Sequence, residues 1–124
     1  MFGRSGRKNV AYSSMALPHA TSAQPIDIQP LGTRLASART VALFKATDIE
    51  VMRLILLAGS SVPPHKVAGD ITIQCIEGKI EVTAEGRSQI LTASQLMYLS
   101  GGALHSLAGI EDASVLVTIA LRTS

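Results

Sequence analysis

Two histidines, an aspartate and a cysteine are the residues of this chain whose chemistry has to be located first. His65 ends the stretch Val-Pro-Pro-His, His105 stands in Ala-Leu-His-Ser, and Asp70 and Cys75 lie between them. An imidazole ligates transition metals, moves protons or exchanges hydrogen bonds near neutral pH, and two imidazoles with one carboxylate form a recognised metal set. A thiolate adds a soft ligand. Plainer readings stand beside these. A pair of pocket histidines serves equally well as hydrogen-bonding groups around a metal-free ligand. A lone strand cysteine is more often a small buried hydrophobe. The third histidine, His19, lies in the N-terminal stretch and is assigned no chemistry.

The elements that must position these side chains read as strands. From Ile49 onward, short apolar runs alternate with turn residues: "IEVMRLILLA" before Gly59, "ITIQCI" before Glu-Gly-Lys, "IEVTA" before Glu-Gly-Arg, then "SQILT", "QLMYL", "HSLA" and "ASVLVTIAL". Strands of about 4 to 9 residues at that spacing specify an all-β sandwich or barrel. Gly78 and Gly86 each sit between an acidic and a basic residue and read as two hairpin turns, with Glu77, Glu81, Glu85 and Arg87 as their solvated surface. In a regular strand Ile71, Ile73 and Cys75 share one face and line the interior, whereas Asp70 points outward unless the chain bulges at Gly69. Residues 49–58 end in "LILLA", too continuous for a strand with one wet face. Either the N-terminal segment or a second copy of the chain is expected to cover it. Upstream, Leu31, Leu35 and Ala38 are spaced as a one- to two-turn helix leading into a strand at Val41. Tyr98 reads as a core or interface ring.

Composition narrows the function. A chain of 124 residues is long enough for one domain with its own core. With 47% apolar and 3% aromatic residues, that core is aliphatic, and few rings are present to stack on nucleic-acid bases. Of 11 basic residues, Arg4, Arg7 and Lys8 fall in an N-terminal stretch without acids, leaving 8 against 9 acidic residues. The rest of the chain is thus nearly neutral and carries no footprint for nucleic acid. Residues 1–24 are expected to be a disordered basic leader, with Met15 a candidate natural start, and residues 25–124 a single domain. The leader lacks the apolar core of a signal peptide, and no stretch approaches the ~18 apolar residues of a membrane span. One cysteine excludes an intramolecular disulfide, so the expected compartment is the cytoplasm.

Two spacings carry a resemblance to the cupin superfamily, small β-barrels marked by two motifs. The first runs glycine, five residues, His-x-His, three or four residues, glutamate, six residues, glycine. Gly59, His65 and Gly78 occupy its anchor positions, while Val67 replaces the second histidine and Ile71 the glutamate. The second runs glycine, five residues, Pro-x-Gly, two residues, histidine, three residues, asparagine. Gly102 and His105 match it, while Ser94, Ser100 and Gly109 stand at the other three positions. "PPHKVAGDITIQCIEGKIEV" and "LHSLAGIEDASVLVTIAL" further resemble small single-domain bacterial cupins.

The resemblance implies an all-β, double-stranded β-helix or jelly-roll-like barrel with a short N-terminal helix, paired as a homodimer. It also implies three imidazoles and one carboxylate around Fe, Mn, Zn, Ni or Cu, with open positions for substrate. This chain keeps the first and last of those ligands, His65 and His105, and carries aliphatic groups at the other two. A tight four-ligand site is therefore not expected. A weakly held divalent metal would need Asp70 or Cys75 as third ligand. The preferred expectation is a binding module whose pocket, lined by Val67, Ile71, Ile73 and Cys75, holds a small molecule beside the two histidines. A metal-dependent oxygenase or isomerase, and a non-catalytic dimeric barrel, are the alternatives. No nucleic-acid or membrane partner is expected, and the sequence names no reaction.

Overall fold

In the computed structural model, residues 19–121 are described, and most of the expected leader lies outside them. Seven strands are formed: β1 (Val41–Lys45), β2 (Ile49–Leu56), β3 (Ser61–His65), β4 (Ile71–Ala84), β5 (Arg87–Thr92), β6 (Leu96–Leu99) and β7 (His105–Ala120). All pairings are antiparallel. The segment read as a short helix forms a 3-10 helix over Gly32–Ser37, which buries Leu35. No helix among the described residues is long and apolar enough to cross a membrane.

Strand lengths are the main departure from the sequence reading. β4 spans 14 residues and β7 spans 16, because stretches read as separate short strands are continuous through Gly78 and Gly109. The two long strands pair along nearly their whole length and bend together. On one side of the bend the order is β1, β2, β7, β4, β6; on the other it is β3, β7, β4, β5. The two facing sheets are therefore the two halves of one continuous strand pair. Aliphatic side chains fill the space between them, with Ile73, Cys75, Ile80 and Val115 fully buried. Each fully buried large aliphatic side chain contributes about 1.5–3 kcal/mol.

Gly78 makes the bend rather than a hairpin. Its φ is +83°, and a Cβ there would run into the carbonyl of Asp112 on β7. Pairing is irregular from Cys75 to Ile80, where five steps along β4 face six along β7, from Val115 to Gly109. The irregularity switches the buried set of β4 from odd to even positions, so Ile71, Ile73 and Cys75 point inward before the bend and Ile80 and Val82 after it. A regular strand would have turned Ile80 and Val82 to solvent. The Gly86 reading holds, since Glu85 and Gly86 take φ values of +52° and +77° between β4 and β5, as a tight hairpin turn requires.

Glu77, expected on a solvated hairpin, is instead the clamp at this bend. Its carboxylate accepts hydrogen bonds from the Leu31 and Gly32 N–H groups, at 2.9–3.1 Å, and from the fully buried Ser114 hydroxyl. Arg53, buried on β2, donates to the carbonyls of Gln29 and Asp27 at 2.9 and 3.3 Å. Residues 27–32 are thereby strapped across the outer face of β2, so the N-terminal segment covers part of that strand. Burial pushes the Glu77 carboxyl up, but bonds from Leu31, Ser114 and Gly32 and the Arg53 charge outweigh it and hold the pKa below the ordinary value.

A group depressed in the folded state adds stability above its unfolded pKa, near 4.3 for glutamate, and that stability is lost as pH falls through the folded value. Glu77→Gln should therefore lower stability at pH 7 by about 1–3 kcal/mol. The loss should shrink below pH 4, as urea unfolding at both pH values would show. Gly86→Ala, strained only by its φ, should cost about 1–2 kcal/mol, and Gly78→Ala, which also displaces β7 backbone, at least ~3 kcal/mol. Equal losses would remove the bend from Gly78.

Candidate functional site

The retained histidines converge. His65 at the end of β3 and His105 at the start of β7 are paired across the ladder, with ring centroids 4.3 Å apart and planes tilted by 53°. Pro63 and Pro64 bring them together. Along β3 from Val62 to His65 the chain advances three residues while β7 passes only two, from Leu107 to His105. This bulge turns Val62 and His65, which alternation would put on opposite faces, toward the same interior. Prolines are tolerated there because β3 is an edge strand whose missing N–H groups leave no partner unpaired.

The pair stands in a cavity of about 160 Å³ between the two half-sheets. β2 supplies Met52 and Leu54, β3 supplies Val62, β4 supplies Ile71 and Ile73, and β7 contributes residues from both sides of its bend, Leu107 on one and Val117 and Ile119 on the other. Val67 completes the wall, and its carbonyl accepts from Gly102 N–H at 2.8 Å, joining the loop after His65 to the turn before His105. The two imidazoles are the only polar side chains of this lining.

Each imidazole is oriented by its own backbone. His65 Nδ1 lies 3.1 Å from the Pro63 carbonyl and His105 Nδ1 lies 2.9 Å from the Ala103 carbonyl. A carbonyl oxygen only accepts, so Nδ1 carries the proton in both rings and Nε2 of the neutral ring keeps a lone pair. Among the described residues neither Nε2 has a hydrogen-bond partner. His65 is exposed at the rim, whereas His105 is only 4% exposed. An unmet buried acceptor costs about 1–3 kcal/mol unless something fills the role.

Of the other residues singled out by sequence, Val67, Ile71 and Ile73 lie in this cavity and Asp70 and Cys75 do not. Asp70 Oδ1 accepts from Gly101 N–H at 2.8 Å and its backbone carbonyl from Ala120 N–H at 2.9 Å, so its carboxylate ties two loops together. The parity read for Cys75 is correct, since it is fully buried beside Ile73. It sits one step nearer the bend, however, with Sγ donating to the Glu77 carbonyl at 3.4 Å. Burial pushes the thiol pKa up, and the Glu77 carboxylate adds to this while the backbone hydrogen bond opposes it. The thiol is therefore a poor nucleophile at ordinary pH, and its place outside the histidine cavity separates it from both imidazoles. Among the described residues no group of three His, Cys, Asp or Glu side chains could hold a metal ion. The donors present do not fit a four-ligand centre.

Met52, Leu54, Leu107, Val117 and Ile119 were not singled out beforehand. Alternation within β2 and β7 would have marked their inward faces, but the cavity appears only once both strands are placed. A second hollow of about 220 Å³ lies outside the barrel beside Tyr98, Asp48 and Asp70. Tyr98 is 62% exposed there, not a core ring, and its hydroxyl lies 3.3 Å from that of Ser100.

No protein-family model matches the sequence, and no curated protein matches it. Solved structures do. A conserved protein of unknown function from Streptococcus pyogenes superposes with a TM-score of 0.68 at 16% identity, over 88% of this chain and 96% of that one. A cupin superfamily protein from Desulfitobacterium hafniense gives 0.66 at 18%, over 80% and 100%. An RmlC-like cupin from Desulfovibrio desulfuricans gives 0.66 at 20%, over 78% and 96%. The bent strand pair, the two half-sheets it generates and these superpositions together give the chain the fold of a small single-barrel cupin.

Proposed function

We propose that this protein binds a small molecule in the cavity between its half-sheets, with His65 and His105 as the polar contacts. The observation that carries the reading is the aliphatic cavity with two oriented imidazoles and no other polar side chain in its lining. Its volume of about 160 Å³ is close to that of an engineered apolar cavity of ~150 Å³ that accommodates benzene. A buried, mostly apolar recess with a few fixed polar groups is the usual form of a small-molecule site.

Catalysis by a metal centre is the weaker reading. Two imidazoles alone leave a divalent metal short of protein donors, and Val67 and Ile71 present hydrocarbon at the positions where the resemblance implies ligands. No acid, base or nucleophile beyond the two histidines lines the cavity, so no reaction follows from it. Binding for sensing or sequestration is the function this lining supports. The reading extends to a homodimer, since Ile90, Leu96, Tyr98 and Ile110 are exposed apolar side chains, and to the cytoplasm, the compartment suited to a chain with a single cysteine.

Thermal shift against a panel of compact metabolites tests the pocket. A ligand at a hundredfold excess over its Kd should stabilise the protein by about 2.7 kcal/mol, a shift of several degrees for a domain of this size. Val67→Phe, which fills the cavity from its rim, should abolish the response. Titration with Zn2+ or Ni2+ should show only weak binding, lost in His65→Ala. Tight stoichiometric metal binding would overturn the metal-free reading. Sedimentation velocity at micromolar concentration should show a dimer, and a monomer would remove that part of the proposal.

A further inference from the structure

Resting on the pocket reading, we infer that the ligand is a compact, uncharged, largely apolar molecule that carries a hydroxyl or N–H donor, as a phenol does, and that donates it to the Nε2 atom of His105, the buried ring of the pair. The inference follows from what the cavity offers and what it lacks. Both Nδ1 atoms are committed to backbone carbonyls, so in the neutral rings the cavity presents two acceptors and no imidazole donor. His105 is almost fully buried and its Nε2 has no partner among the described residues. A ligand without a donor would leave that lone pair unmet, and a carboxylate, which only accepts, would set acceptor against acceptor. No lysine, arginine, aspartate or glutamate lines the cavity to neutralise a charged ligand, and a charge without a partner is costly to desolvate. The volume admits about one six-membered ring.

The burial of the two rings sets the direction of entry. With centroids 4.3 Å apart and planes 53° apart, the two rings are near neighbours but not parallel. His65 is exposed and His105 buried, so the donor group enters past His65 and ends against His105, with the apolar body among Ile71, Ile73, Leu107 and Val117.

The test is a titration of the full chain with phenol, toluene and benzoate at pH 8, where imidazole is ordinarily neutral and a phenol keeps its proton. Binding is followed by NMR shifts of the cavity methyl groups. Transfer from water alone favours toluene over phenol, so tighter binding of phenol reports the hydroxyl contact. The expected result is phenol bound about fivefold or more tighter than toluene, with benzoate not bound. In His105→Phe the preference should invert to toluene, whereas in His65→Phe the preference for phenol should persist. Should His105→Phe fail to fold, the His105 Nε2 resonance of the wild-type protein carries the test, since phenol should shift it and toluene should not. Toluene binding as tightly as phenol, or benzoate binding best, would overturn the donor inference while leaving the pocket intact. Binding of none of the three in the wild type would overturn the pocket reading with it.

Discussion

Two strands run the length of this molecule side by side, and everything else depends on how they bend. β4 and β7 pair along most of their residues and change half-sheet together between Cys75 and Ile80. At that point Gly78 adopts a backbone conformation that side chains rarely take and lies against the Asp112 carbonyl too closely for a Cβ. The bend shifts the inward face of β4 from odd to even residues, so that one strand feeds aliphatic side chains into both halves of the barrel. Without the shift, Ile80 and Val82 would face water and the second half-sheet would have no reason to fold over the first. The Glu77 carboxylate at the same corner anchors the N-terminal strap through Leu31 and Gly32, and Arg53 anchors it through Gln29. Corner and strap are thus one unit.

The same architecture explains where the cavity opens and where it closes. Toward the bend Cys75, Ile80 and Val115 are fully buried and none of them lines the cavity. Away from it the sheets diverge, leaving room among Met52, Ile71, Leu107 and Ile119. The histidines stand at the diverging end because β3 ends and β7 begins there, held in register by the Pro63–Pro64 bulge. Asp70, one residue before β4, lies near that end in the chain but is spent on Gly101. The polar character of the site therefore reduces to two imidazoles, each fixed by a carbonyl two residues back.

Much of this was legible in the sequence, and the failures have physical causes. The all-β class follows from apolar runs and turn residues, and the spacing of His65, Gly102 and His105 carries the resemblance to a cupin barrel. The interior parity of Ile71, Ile73 and Cys75 was correct. Gly78 was misread because a glycine between acidic and basic residues looks the same in a hairpin as in a bent strand, and only the partner strand distinguishes them. Glu77 was misread for the same reason: a carboxylate that gains its partners from Leu31 and Ser114 shows no local sign of them. Asp70 is exposed, as alternation in a regular strand implies, and Cys75 is interior; only the conditional role of either as a third ligand beside the histidines finds no support in the cavity lining. Their real environments, a loop clamp and a closed corner, depend on contacts from Gly101 and from the bend.

The account turns on the protonation of two rings. NMR correlation of imidazole nitrogens with ring protons at pH 8 reads the tautomer of His65 and His105 directly, with exposed His19 as internal reference. The structure predicts the Nδ1–H form for both, with each Nε2 unprotonated and, in His105, shifted when a donor ligand binds. An Nε2–H tautomer at His105 would contradict the account, because the cavity would then present a donor and its ligand would have to be an acceptor.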